Sequence, residues 1–217
     1  MSKEDIQIAA RTLLSPFLSE SGSLLYSSHE TLKPGDVYLM GFNPGGTIGN
    51  TLDKSIDCLL TNQQNAYLDE KWGDEERNEP GTAPLQKRVR WVLEGLGLDP
   101  RNVCASNLLF LRSRDAKSIN YALADKFWPI HEAILKLVNP KMIIAFGNST
   151  VSPYGYLHAR FGGEEAFTPA GHGTWSLKAF RSNINGLDCF VAGLPHLSRY
   201  SPIGKPHVID WLKRGLK

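Results

Sequence analysis

The turn Gly41-Phe42-Asn43-Pro44-Gly45-Gly46 carries residue types suited to holding a small polar ligand. It follows an apolar run, Val37-Tyr38-Leu39-Met40, that reads as a buried strand. Glycines at such a place let backbone N–H groups come close to a ligand. Asn43 adds an uncharged amide with both donor and acceptor atoms. Asn, Pro and Gly are also ordinary turn residues, so the turn alone favours neither ligand binding nor plain chain reversal. His196 stands in Pro195-His196-Leu197-Ser198-Arg199-Tyr200-Ser201-Pro202, after another apolar run. It lies on a loop rather than on an apolar helix face, which favours a working imidazole over a core one. Ser149 and Ser198 lack the G-x-S-x-G elbow of a nucleophilic serine. No G-x-x-x-x-G-K-[ST] phosphate loop occurs, and no His/Cys spacing suggests zinc. Cys58, Cys104 and Cys189 are odd in number and widely spaced. That argues against a disulfide framework and a Cys-rich metal site. Hydrolysis without a metal or other cofactor fits what remains.

The elements that would position these residues alternate between strand and helix. Residues 3–18 have helical spacing, with Ile6, Ala9, Ala10, Leu13, Leu14 and Phe17 on one face. After the first strand, residues 44–82 form a long polar stretch, which inside a compact domain is usually functional or carries short helices. Residues 84–98 resume helical spacing. Residues 103–111 read as a second interior strand, with Asn107 within it and Arg112 just beyond. Residues 124–138 read as a helix, and residues 142–146 as a third strand ending at Gly147-Asn148. A short helix to His158 follows. Residues 175–180 alternate like an edge strand, residues 187–194 form a fourth core strand, and residues 208–216 a closing helix. The expected fold is α/β: a three-layer α/β/α sandwich around a mainly parallel four-stranded sheet, in a single domain spanning residues 1–217. The loops beyond the strands' carboxyl ends then share one rim and bring Asn43, Asn107, Arg112, Asn148 and His196 together, as an active site needs. Asn148 and Ser149 are expected only to cap the next helix.

Composition adds bounds. The chain has 217 residues, 41% hydrophobic and 21% charged, with a formal net charge of +2. This is ordinary for a soluble globular protein, and the weak net charge is little evidence for a polyanionic partner. Charge is distributed unevenly: residues 69–79 are acidic, while basic residues gather in Lys87-Arg88-Val89-Arg90, around Arg112 and Arg114, and from Arg199 onward. One positive face is a natural outcome, although any single cluster is better read as a solvated surface. No apolar run reaches the ~20 residues needed to cross a bilayer. The first residues carry Glu4 and Asp5 and no continuous apolar core, so no secretory leader is expected and a cytoplasmic monomer is the default.

With these motifs in order, the chain resembles the uracil-DNA glycosylase superfamily from about residue 34 onward. GFNPGG is similar to the first motif of the mismatch-specific uracil and thymine glycosylases. LQKRVRWVLEGLGLDPRNVCASNLLFLRSRD and IIAFGNSTV resemble segments of the thermostable bacterial branch. LPHLSRYSP stands in place of the second motif, usually His-Pro-Ser-Pro followed by a wedge residue. Three departures are plain. Three scattered cysteines cannot supply the four iron–sulfur ligands of the thermostable branch. Asn43 stands where the most active branch has Asp. Leu197 stands where Pro is usual.

The resemblance implies a monofunctional DNA glycosylase of base-excision repair, acting on uracil or a related deaminated or mismatched base flipped out of DNA. His196 would donate a hydrogen bond to the O2 of the departing pyrimidine. Asn43 would hold the attacking water without accepting its proton, so turnover would be slow. Asn107 would pair with the Watson–Crick edge of the base, and the Gly41-Phe42 backbone would border it. Tyr67 or Trp72 from the long loop would supply an aromatic platform, with loop packing as the competing reading for both. Ser198 and Arg112 suit DNA contacts, and Arg199 or Tyr200 would fill the gap left by the flipped nucleotide. Two other readings stay open: a catalytically weak or inactive nucleic-acid-binding protein that keeps the fold, and an enzyme for free nucleosides.

Overall fold

The computed structural model describes residues 2–46, 49–73, 79–115 and 118–217. Of the acidic stretch at residues 69–79, positions 74–78 therefore lie outside the described residues. Helices α1 (Lys3–Leu13), α2 (Leu52–Asp57), α3 (Pro84–Gly95), α4 (Leu123–Val138), α5 (Pro153–Phe161) and α6 (Pro206–Lys213) accompany six strands. The strands are β1 (Val37–Gly41), β2 (Cys104–Asn107), β3 (Met142–Phe146), β4 (Ala166–Pro169), β5 (Ser176–Ile184) and β6 (Leu187–Leu194). They form one mixed sheet in the order β2-β1-β3-β6-β5-β4. β2, β1, β3 and β6 are parallel, and β5 and β4 join antiparallel. No helix among the described residues is long and apolar enough to cross a membrane.

Among the described residues the sheet thus has six strands rather than four. β4 is only four residues long and mostly exposed, so it lacks the apolar signal that marked the core strands. It pairs with β5, which removes β5 from the edge position that its alternation suggested. The opposite edge is covered too. The Tyr26 N–H donates to Ala105 O at 2.8 Å, and the Ser27 hydroxyl accepts the Ala105 N–H at 3.0 Å. The Ser/Gly-rich segment thereby occupies ladder positions that would otherwise invite another chain.

Successive strand residues face opposite sides, and the core divides accordingly. Tyr38, Met40, Ile143, Ala145 and Val191 pack with Ile6 and Ala10 of α1, Phe127 and Trp128 of α4, and Leu157 of α5. Leu39, Met142, Ile144, Ala192 and Leu194 pack with Val89, Val92 and Leu93 of α3, and Val208 and Leu212 of α6. Local signals start and stop these helices. The Ser2 hydroxyl accepts the Asp5 N–H while the Asp5 carboxylate accepts the Ser2 N–H, a capping box for α1. Ser152 caps α5, with Pro153 following in the first turn. Asn148 does not cap it; its amide donates to Ser176 O and Gly193 O, tying β5 to β6.

The apolar run at residues 103–111 is strand only as far as Asn107. Beyond it, the N–H groups of Leu108 and Leu109 donate to Gly41 O and Phe42 O, so the chain stays beside the first turn. His131 of α4 holds this place from below. Its Nε2–H donates to Leu108 O at 3.1 Å, and its Nδ1 accepts the Tyr38 hydroxyl at 3.2 Å. Burial lowers its pKa to about 4.

Candidate functional site

The strand order locates the site. From β1 the chain crosses to β2 on one side, and then passes back over β1 to β3 on the other. The carboxyl ends of the strands beside the switch between β1 and β3 are the usual ligand position in such sheets. Asn43 follows β1, Asn107 ends β2, Gly147 follows β3 and His196 follows β6. All four therefore stand on one rim. Two interstrand spacings separate β1 from β6, so Asn43 and His196 leave the sheet about 10 Å apart. Gly147 lies between them. Its φ of 104° favours glycine, and a Cβ there would lie 3.2 Å from the Ser152 Cβ and 3.9 Å from the His196 ring.

Asn43 is half-buried and its amide is oriented by a chain of bonds. Nδ2 donates to Pro44 O and to Ser113 Oγ, both at 2.8 Å, and the Ser113 hydroxyl donates onward to Asp115 O at 2.6 Å. Ser113 must accept from Asn43, because its one proton is used. The arrangement turns Oδ1 the other way, and no described hydrogen bond reaches it.

Asn107 is buried, only 4% exposed, and its Nδ2 has no hydrogen-bond partner of good geometry among the described residues. An orphaned buried donor is uncommon and costs about 1–3 kcal/mol. The residue is paired in register with Gly41. A Cβ on Gly41 would overlap the Asn107 Oδ1, so only glycine leaves room for this amide. The Tyr26 hydroxyl faces the same amide, near Gly45 and the guanidinium of Arg112. Burial pushes the Tyr26 pKa up to about 12, with the Arg112 charge opposing that rise.

His196 reaches solvent, yet its Nδ1 is fully engaged. It accepts the Ser198 N–H at 3.2 Å and meets the Ser198 hydroxyl at 2.7 Å. A nitrogen that accepts a backbone N–H carries no proton, so the neutral ring bears its proton on Nε2. The protein packed around the ring lowers its pKa, and the charge of Arg199 lowers it further. The imidazole is therefore a neutral donor with its N–H directed away from its own loop. Arg88 of α3 steadies the loop, donating to Leu197 O at 2.6 Å and Ser198 O at 2.9 Å.

Other expected residues fall differently. Tyr67 is only 3% exposed and sits between Tyr26 and Trp72, with ring centroids 5.9 and 5.7 Å away. Its segment is clamped: Gln86 donates to Ala66 O and Glu70 O, and the Asn65 amide donates to Pro100 O. Tyr67 is thus a core residue rather than a stacking platform. Tyr200 is not a wedge either, being 0% exposed with its hydroxyl donating to Ala170 O at 2.6 Å. Phe42 is buried and stacks on Tyr121. Arg112 folds back onto the first turn, donating to Gly45 O, with its guanidinium against Gly49. Arg199 and Ser198 are exposed. Two clefts are also present. One of about 450 Å³ lies at the opposite, amino-terminal end of the strands beside Asp36 and Lys141. The other, of about 260 Å³, is flanked by Arg112, Lys54 and Glu70. Neither is lined by Asn43, Asn107 or His196.

Tyr26, Ser113, Arg88, His131 and Gly147 were missed in the sequence. Arg88 carried a signal as part of a basic cluster, and Gly147 as the turn that ends the third strand. No family model matches this chain, and no curated protein matches it.

Proposed function

We propose that the protein is a monofunctional DNA glycosylase that hydrolyses the N-glycosidic bond of uracil, or of a related deaminated or mismatched base, flipped out of DNA. The observation that carries this reading is the buried amide of Asn107 beside Gly41, whose Nδ2 has no partner of good geometry among the described residues. A planar base edge with a carbonyl acceptor and an N–H donor would satisfy both of its ends. The chain is read as one domain with the layering α/β/α, acting as a cytoplasmic monomer on DNA.

In this reading the base leaves as an anion while water adds to C1′ of the sugar. The Nε2–H of neutral His196 stabilises the growing charge on O2. Such a donor acts most strongly in a site that excludes water. Asn43 Oδ1 accepts a hydrogen bond from the attacking water and orients it. The amide takes up no proton, so that proton passes to solvent and the rate stays low.

The test is incubation of excess protein with oligonucleotides holding single uracil, hypoxanthine, xanthine or mismatched thymine. Abasic product from at least one is expected; none from any would overturn the proposal. A second reading, a nucleic-acid-binding protein without catalysis, is favoured by the neutral Asn43 and the burial of Asn107. It predicts salt-dependent binding to the same oligonucleotides with no abasic product.

A further inference from the structure

We propose that Trp175, at the tip of the β4–β5 hairpin, is a stacking platform for a nucleobase beside the nucleotide held at the rim. The proposal rests on the nucleic-acid reading above and names a contact that neither motif contains. Trp175 is 38% exposed, unlike Tyr200, which is buried directly behind it with ring centroids 6.4 Å apart. The tip is rigid. The Trp175 N–H donates to His172 O at 3.1 Å, closing a turn, and the Ala170 N–H donates to Trp175 O at 2.8 Å. The Tyr200 hydroxyl binds Ala170 O, fastening this hairpin to the loop that carries His196. His172 packs against the indole at 4.7 Å.

The surrounding charge selects the occupant. Residues 166–180 contain no Asp or Glu, and neither do residues 193–209. Of the same two segments, the second holds the cations Arg199 and Lys205, and Lys178 of the first pairs with Glu165 at 3.7 Å. Tyr200 brings the two segments together. Lys205 lies 5.0 Å over the Tyr200 ring, and a Cβ on Gly171 would touch His207. An exposed aromatic ring beside the segment that carries Arg199 and Lys205 suits a base stacked on the ring with its phosphates on these two cations. A protein surface or a second copy would not require that charge.

The test uses a fluorescein-labelled single-stranded oligonucleotide and a duplex with 2-aminopurine next to uracil. W175A is expected to raise Kd about tenfold and W175F to stay near wild type, because any aromatic face can stack. The slope of log Kd against log salt is unchanged in W175A, whereas R199A/K205A lowers it by about 2. In the wild type 2-aminopurine changes its emission on binding, and in W175A it does not. Wild-type affinity in W175A, or W175F as weak as W175A, overturns the proposal. So does self-association that is lost in W175A while DNA binding persists. Failure of the glycosylase reading is separable: wild type then yields no abasic product, while the W175A binding defect remains.

Discussion

The side chain of Asn107 occupies the space where a Cβ of Gly41 would stand. Two parallel strands end in register at these residues. The glycine is therefore an opening into which the neighbouring strand places its amide. Gly41→Ala should push that amide aside. Abasic-product formation is expected to fall at least as far as in Asn107→Ala. The overpacking should cost about 1–3 kcal/mol in urea unfolding. An active, equally stable Gly41→Ala variant would contradict the geometry.

His196 acts as a neutral donor in the proposed chemistry. A proton on Nδ1 would oppose the Ser198 N–H that this nitrogen accepts. Because burial and Arg199 lower its pKa below the ordinary 6.5, the neutral ring persists into mildly acidic solution. Activity should stay level through neutral pH and fall only below the ordinary histidine range. His196→Ala should reduce the single-turnover rate about 100-fold. An acid limb at or above the usual histidine value would count against the assignment.

Asn43→Asp introduces a group able to take the proton of the attacking water. The single-turnover rate should rise, by about 100-fold if general-base help is fully gained. Ser113 must then turn its hydroxyl from Asp115 O toward the new carboxylate. Ser113→Ala in the Asn43→Asp background should therefore remove part of the gain. A rate that does not rise would show that water orientation, rather than proton removal, limits the reaction.

His131 couples stability to pH. Its folded pKa is lowered to about 4 from an ordinary 6.5, chiefly by burial. As pH falls below 6.5 the unfolded chain takes up this proton before the folded one. Its contribution is complete above that value and is lost progressively toward pH 4, by about 3 kcal/mol in all. Denaturant melts from pH 7 to pH 4 should show the decline, and His131→Gln should flatten it. The same slope in His131→Gln would assign the effect elsewhere.

Arg88 fastens the His196 loop through two carbonyls rather than an ion pair. Arg88→Ala should lower stability by about 1 kcal/mol, since part of the guanidinium is solvated. The rate should fall by more than this loss implies, because the imidazole would no longer be held in place. Equal small losses in both would reduce Arg88 to a stability contact.

Apolar runs with turn residues at their ends located β1, β3 and β6, because a buried parallel strand needs a continuous hydrophobic stretch. The same logic put Asn43, Asn107 and His196 beyond strand ends. Periodicity also found α1, α3 and α4, since one helix face must meet the core. β4 escaped notice because a short exposed strand carries no such pattern. In the sequence Tyr67 was a candidate stacking platform and Tyr200 a candidate wedge, because an aromatic residue in a polar loop has no marked depth. Tertiary packing decided their burial: Gln86 and Asn65 clamp one segment, and the β4–β5 hairpin covers the other. The orphaned amide of Asn107 and the proton position on His196 depend on neighbours distant along the chain. Hydrogen-bond partners of that kind exist only once the strands have assembled.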